Sequence, residues 1–418
     1  MGTSFRYYLL FSSLLLTVKT ASAATVNYSL EAGAQYSDNI MRDETDQVTD
    51  TAGRLAATLN VTDENSVHDF ELGMNLEYLN YKDDTYDDDV YANINLASVW
   101  GLVDDTVTWT VDGFFGQQSI DPFAVRTPDN IQDTGFITTG PNLVMRFTDL
   151  DSFTLGYRYN DFYAEETDAD YQSNTVTASL ARRTSPLLTV SLNGSYNDLD
   201  YQEPTLNDFE DTRYSVLLTG STQTTAYNLE FGQIYIDFSD GSEIENRLRR
   251  LSLSRQLNRS NAVSILYTET VDNGAAALDP DRVTDTVTAD LFVNELARIS
   301  YEHDTGKLRL NLSYSYSDQD YVEQDTLDQR VRFGTFNAVY GTPLNLRYTF
   351  DYIYSYRDVH GSDRIDEENT IRVGLEKRLS RTMDLIFSIE NFVRESTEQV
   401  QDIDENVYRL TFRHRENI

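Results

Sequence analysis

The chain has 418 residues, no cysteine, and 69 acidic against 33 basic side chains, a net charge of −36. That balance excludes nucleic acid as a partner, because phosphate contacts need a basic surface, and a cysteine-free chain must be held by hydrogen bonding and packing rather than disulfides. Mean hydropathy of −0.48 does not exclude a membrane protein built from strands, whose polar face and loops dilute the average.

At the N-terminus Arg6 precedes a mostly apolar run over residues 7–18, and Ala21-Ser22-Ala23 follows. A charged start, a short apolar stretch and a small-residue cleavage site predict a secretory signal peptide over 1–23. The alternative, a membrane anchor, needs roughly 20 apolar residues and the run is shorter. Residues 24–418 are expected to form one domain. No later apolar run is long enough to span as a helix, so a membrane location requires a closed barrel. In lipid every backbone N–H and C=O must be paired internally.

From residue 26 onward apolar and polar residues alternate, the period of a strand with two unlike faces. Phe70, Leu72, Met74, Leu76 and Tyr78 oppose Glu71, Gly73, Asn75 and Glu77. Phe153, Leu155, Tyr157 and Tyr159 oppose Thr154, Gly156, Arg158 and Asn160, and Leu188, Val190 and Leu192 oppose Thr189, Ser191 and Asn193. Leu308, Leu310, Leu312, Tyr314 and Tyr316 oppose Arg309, Asn311, Ser313 and Ser315. The clearest case is residues 344–357, with Leu344, Leu346, Tyr348, Phe350, Tyr352, Tyr354 and Tyr356 on one side. Tyr408, Leu410 and Phe412 close the series opposite Arg409, Thr411 and Arg413. Around 233–237 and 331–340 the parity slips, which predicts bulges. Pro141, after Gly140, is expected to kink the start of its strand.

The connections alternate in length. Short ones fall at 62–65, 103–106, 148–151, 184–186, 223–225, 258–261, 303–306, 341–343 and 380–382. Between them lie longer ones such as 39–50, 119–133, 202–210, 272–290 and 317–327. This rhythm predicts an all-β fold, a single closed antiparallel transmembrane β-barrel of about 20 strands (about 18–22), with short periplasmic turns and long extracellular loops. The loops are acidic, crowded with Asp and Glu at 38–50, 82–89, 165–170, 198–211 and 395–405. Such charge keeps an exposed surface soluble. It could also bind divalent cations that tie the loops to lipopolysaccharide, although no segment has the spacing of a calcium loop. Loops 119–133 and 272–290 are the candidates to fold into the lumen.

Trp100 and Trp109 flank one short turn, where a periplasmic aromatic belt belongs, and Tyr78, Tyr159, Tyr196, Tyr316 and Tyr354 would form the outer belt. The lumen-lining candidates are Arg158, Arg250, Arg298, Arg309, Arg347, Arg372, Arg409, Asn311, Asp351 and Glu376. Further charges on that face include Arg54, Arg378, Arg394, Arg413, Glu31, Glu77, Asp384 and Glu390. Two readings stay open and are compatible. Paired charges brace the wall, with Arg347 beside Asp351 and Arg372 beside Glu376; or a basic stripe passes an anionic or hydroxyl-rich solute. Gly156 and Gly374 on the same face are expected to relieve crowding.

Enzyme signatures are not found. The four histidines, His68, His303, His360 and His414, are far apart in sequence, and no Ser/His/Asp grouping can be argued from neighbouring strands. No catalytic residue, metal site or cofactor is therefore expected.

Tyr36-Ser37-Asp38-Asn39 at the end of the first strand, the Tyr-x-Asp-x-Asp-Tyr strand ends at 196–201 and 316–321, and a barrel without a plug domain carry a family likeness. The mature chain resembles the β-barrel porins of Gram-negative outer membranes. More narrowly it is similar to barrels encoded with exopolysaccharide synthesis and exosortase (PEP-CTERM) systems. The resemblance implies a channel through which an exported polysaccharide crosses the outer membrane, after handover from periplasmic export proteins, and it carries no catalytic residues. The alternatives are a general or substrate-selective diffusion porin for small polar solutes, or a non-transporting barrel whose loops bind at the cell surface. In each case the partners include outer-membrane lipid and lipopolysaccharide.

Overall fold

The computed structural model describes residues 24–273, 289–362, 364–398 and 401–417; the predicted leader lies outside them, as does most of loop 272–290. The first half of the wall is β1 (Thr25–Ser37), β2 (Asp50–Glu64), β3 (His68–Tyr81), β4 (Asp89–Val103), β5 (Val107–Ser119), β6 (Ile131–Arg146), β7 (Asp151–Ala164), β8 (Tyr171–Ser185), β9 (Leu188–Tyr201) and β10 (Phe209–Ser221). The second half is β11 (Thr225–Phe238), β12 (Glu243–Asn258), β13 (Asn261–Asp272), β14 (Phe292–Asp304), β15 (Leu308–Tyr321), β16 (Gln329–Gly341), β17 (Leu346–Val359), β18 (Arg364–Arg378), β19 (Met383–Ser396) and β20 (Ile403–Asn417). Each strand pairs antiparallel with its sequence neighbours, and β1 pairs with β20 from Asn27↔Asn417 to Ser37↔Val407. That seam closes the 20-stranded sheet, so the ladder satisfies the backbone without water. The predicted barrel and its strand number are observed.

The two faces separate as the alternation requires. Leu30, Leu55, Leu155, Leu192, Phe231, Ile299, Leu312, Tyr348, Phe350, Val373 and Phe412 are exposed on the outside. Strands of 12–16 residues exceed the roughly 9–11 residues that cross the hydrocarbon.

Two local expectations need correction. The registers of β11 with β10 and β12, and of β16 with β15 and β17, run without a shift. The parity slip near 233–237 arises because Ile234 and Ile236 point inward into an apolar cluster with Phe162, Leu199, Phe209 and Leu248, not because a residue is inserted. The register shifts that do occur lie beside short turns, at Gly101/Val103, Arg183/Ser185 and Gln256/Asn258. Pro141 is not at the start of its strand. It sits ten residues into β6 opposite Trp109, and the β6–β7 pairing skips Gly140 and Pro141. A Cβ at Gly140 would collide with the Tyr157 carbonyl, so the close approach needs glycine there.

Candidate functional site

Among the described residues, one loop reaches across the mouth at the long-loop end. Residues 120–130, here L3, leave β5 and carry a 3-10 turn at Pro128–Asn130. Asn130 fixes the loop base: its Nδ2 donates to the carbonyls of Asp121 (3.0 Å) and Val125 (3.2 Å), and its Oδ1 accepts from the Asp121 N–H (2.8 Å). The tip then reaches strands far around the wall. Arg357 of β17 donates to the Pro122 carbonyl, Arg364 of β18 to the Phe123 carbonyl, and Arg394 of β19 to the same Phe123 carbonyl at 2.7 Å. The Phe123 ring lies 5.7 Å from the guanidinium carbons of Arg357 and Arg364. Strands that distant meet one loop only across the interior, which identifies the arginine-bearing face as the inner one. Arg364 and Arg394 share Asp366 at 2.9 and 3.0 Å, and Arg394 has only 2% of its side chain exposed. The expectation that 119–133 folds inward is met. Beside L3, burial pushes the Tyr86 hydroxyl up to about 12, with Asp129 adding to the rise.

Below the mouth, the wall from β17 to β20 is a charged network. Glu390 accepts from Arg372 Nε at 2.7 Å and Arg409 Nη1 at 2.9 Å. Glu376 takes Arg413 at 2.8 Å and Arg347 at 3.4 Å. Asp384 takes Arg413 at 3.0 Å, Arg415 at 3.1 Å and Arg378 at 3.8 Å. The acids lie at the back: side-chain exposure is 0% for Asp384, 7% for Glu390 and 11% for Glu376, against 43% for Arg347 and Arg372 and 46% for Arg378. A solute in the lumen therefore meets guanidinium first. Arg54 on β2 holds Glu31 and Glu77 at 2.7 and 2.8 Å.

The wall from β6 to β11 is built differently. Thr138 Oγ1 donates to Asn160 Oδ1 at 2.7 Å, Asn160 Nδ2 donates to Ser173 at 2.9 Å, and Thr175 Oγ1 donates to Asn197 at 2.7 Å. Ser179 donates to Asn193 at 2.7 Å, and Ser215 to Glu230 at 2.6 Å. This hydroxyl and amide ladder lines a cavity of about 640 Å³, bounded also by Phe162, Tyr171 and Leu199.

The chain is a closed 20-stranded antiparallel β-barrel. No family model and no curated protein sequence matches it. Solved barrels superpose on it. The FrpB iron transporter of Neisseria meningitidis is 8% identical with a TM-score of 0.49, covering 93% of this chain and 82% of that one. The ferric enterobactin receptor PfeA of Pseudomonas aeruginosa is 9% identical with a TM-score of 0.47, covering 94% and 80%. OpdO of Pseudomonas aeruginosa is 12% identical with a TM-score of 0.40, covering 95% and 98%.

All ten lumen candidates fall on the inner face, but in three different settings. Arg347, Arg372, Arg409 and Glu376 meet in the charged network. Arg158 lies on the hydroxyl side, donating to Asn142 at 3.0 Å and the Pro141 carbonyl at 3.2 Å, and Arg250 lies 4.0 Å from Glu230. Arg298, Arg309, Asn311 and Asp351 occupy the wall between; Arg309 pairs with Asp304 at 3.2 Å, Asn337 links Asn311 and Asp351, and Arg298 stands opposite Ser315. The partners differ from the expected ones. Arg347 binds Glu376 rather than Asp351, and Arg372 binds Glu390 rather than Glu376. Residues four apart on one strand are about 13 Å apart, whereas cross-strand neighbours are about 5 Å apart. Alternation along its strand puts Arg357 on the same face as Arg347, as found; Arg364 and Arg415 are not among the expected lumen residues, although alternation from Arg372 and Arg413 on their own strands places them there.

On the outer face Trp100 and Trp109 stand opposite each other across β4 and β5, and Trp109 donates to Thr139 at 2.8 Å. Tyr78, Tyr159, Tyr196, Tyr316 and Tyr354 point outward near the loop ends of β3, β7, β9, β15 and β17. Tyr78 donates to Asp88 at 3.0 Å and Tyr316 to Asp318 at 3.2 Å, so each ring has an apolar body and a polar tip. Gly374 does relieve crowding: a Cβ there would strike Thr349 Oγ1.

Two groupings were not visible in the sequence. His68 lies between Asp63 (3.7 Å) and Ser98 (3.4 Å) on the outer face; the first separation is beyond hydrogen-bond length, so no proton relay is made. Asp318, Asp320 and His360 bring three ligand atoms within 4.8 Å of one another at the outer rim. They come from β15 and the loop after β17, and a spacing of 40 residues or more hides them.

Proposed function

We propose that this barrel is a conduit for an exported polysaccharide. The observation that carries the reading is the full-height column of guanidiniums on β17–β20: Arg347, Arg378, Arg413 and Arg415 near the periplasmic rim, Arg372 and Arg409 midway, and Arg357, Arg364 and Arg394 at the mouth. Over some 14 residues at about 3.3 Å each, the column runs about 45 Å. A repeating polymer profits from repeated, individually weak contacts along its whole path, whereas a small solute needs one. The facing hydroxyl and amide ladder supplies bonds that any sugar can exchange. Delivery into the periplasmic rim would fall to periplasmic export proteins.

The test is genetic and physical together. Deleting the gene should abolish surface polysaccharide and leave small-solute uptake unchanged, with restoration on complementation; a deletion strain with a normal matrix sinks the proposal. A second reading, a diffusion porin for small polar solutes, is favoured by L3 lying across the mouth, where it narrows the path. It predicts steady ion conductance in planar bilayers and slower solute uptake in the deletion strain.

A further inference from the structure

We infer that the guanidinium shelf at the periplasmic rim is a binding site for the carboxylates of an acidic sugar polymer, so that the barrel admits anionic glycan ahead of neutral glycan. The inference rests on the conduit reading and names its substrate class.

At the rim four arginines, Arg347, Arg378, Arg413 and Arg415, share Glu376 and Asp384, and midway Arg372 and Arg409 share Glu390, so in both places guanidiniums outnumber the acids that hold them. Nearby acids reduce the excess without cancelling it: Asp351 stands opposite Arg372 with only the neutral Asn337 as donor, and Glu31, opposite Arg413, shares Arg54 with Glu77. The depth ordering matters as much as the count. The three acids are buried in the wall; Arg409, Arg413 and Arg415 are largely buried with them, while Arg347, Arg372 and Arg378 are nearly half exposed toward the lumen. Such an array is pre-organised, and an arriving anion need not order long side chains at its own expense.

Arg347 and Arg378 are the groups best placed to take a ligand. Each makes a single, long ion pair, at 3.4 and 3.8 Å, to a carboxylate that Arg413 already holds at 2.8 and 3.0 Å. A guanidinium has five N–H donors in a planar fork that matches the two oxygens of a carboxylate. The hydroxyls and amides on β6–β11 offer bonds to every sugar, charged or not, and the arginines among them are already engaged, Arg213 by Asp211 at 2.5 Å and Arg158 by Asn142 and the Pro141 carbonyl. Selection therefore falls to the shelf. Sulfate esters share the anionic chemistry and can also take a guanidinium fork through two of their oxygens, so the test sets them directly against carboxylates.

The experiment is current block in planar bilayers with full-length mature protein and probes added on the periplasmic side. The probes are an oligogalacturonate, a neutral malto-oligosaccharide and a sulfated malto-oligosaccharide of equal length. Arg347→Gln with Arg378→Gln is the informative variant, because Glu376 and Asp384 each keep Arg413 and Arg415 within reach; a heat-modifiable gel shift checks that it folds. The uronate should block at the lowest concentration, and its half-blocking concentration should rise about tenfold or more in the variant, the loss expected for charge-assisted bonds. Block by the neutral sugar should not move. Equal block by neutral sugar and uronate, equal block by sulfated sugar and uronate, or an unaltered variant each overturns the site. An ion-conducting barrel that no glycan blocks overturns the conduit reading instead.

Discussion

The two inner walls are made from the same pleated ladder and yet solve the same problem in opposite ways. From β6 to β11, neutral hydroxyls and amides bond to one another across strands, so each group is both partner and wall. From β17 to β20, buried acids anchor arginines that then face the water. A neutral hydrogen bond contributes about 1 kcal/mol, and a lost partner can be replaced by lumen water. A buried carboxylate has no such substitute. The comparison teaches that the polar wall is locally forgiving and the charged wall is locally brittle.

The largest effect should follow from stranding one acid. Arg372→Ala with Arg409→Ala removes both guanidiniums that hold Glu390, which is 7% exposed. The loss should be about 3–5 kcal/mol of stability, read as a lower urea midpoint for unfolding from detergent micelles or vesicles. Adding Glu390→Gln to that double variant should recover most of the loss. If the triple variant is no better than the double, the brittleness does not come from the stranded charge.

Next in size is the mouth. Because L3 is held through backbone carbonyls of Pro122 and Phe123, side-chain changes at its tip should matter less than its length. Deleting residues 122–126 should raise single-channel conductance severalfold, while Phe123→Ala removes only ring contacts to two arginines, each worth about 0.5–1 kcal/mol at exposed sites, and should leave conductance close to wild type. Equal conductance in the two variants would show that L3 is not the constriction.

The forgiving wall gives the third and smaller effect. Asn160→Ala breaks bonds to Thr138, Ser173 and Thr175, and should cost only about 0.5–1.5 kcal/mol. A cost matching that of the Arg372/Arg409 variant would erase the contrast between the walls.

How far these walls were legible in the sequence follows from what sets each feature. Lipid outside and water inside impose a period of two on every strand, and a one-residue slip would turn Leu312 inward and Asn311 outward; the faces, the strand number and the turns could therefore be read directly. Who pairs with whom depends on inter-strand register, which no single strand encodes. Hence Arg347 was matched to Asp351 on its own strand rather than to Glu376 on the next. Apolar residues facing inward, such as Ile234 and Ile236, mimic a slip because a loop-covered patch of the lumen is dry. The docking of Pro122 and Phe123 onto three arginines more than 230 residues away has no local signal at all.

The smallest effect sharpens the comparison by moving an acid from wall to loop. Asp43, in the loop after β1, accepts from the backbone N–H of Thr45 and Asp46 at 2.7 and 2.8 Å and from Thr45 Oγ1 at 3.1 Å. Those donors hold its carboxyl below the usual carboxylate range. A carboxyl whose folded pKa is depressed contributes stability above its unfolded pKa and loses it as pH falls through the folded pKa. The turn should therefore persist through mild acid and loosen only below the ordinary aspartate range, seen as a rise in proteolytic cleavage within 40–48 by an acid-active protease. Asp43→Asn keeps an acceptor but has no proton to gain, so its cleavage should not change with pH over the same window. Glu390 has two guanidiniums in place of those donors, and the wall it anchors should stay intact while the Asp43 turn opens. An acid-induced loss of the barrel before the loop would place the weak point in the wall rather than the loop.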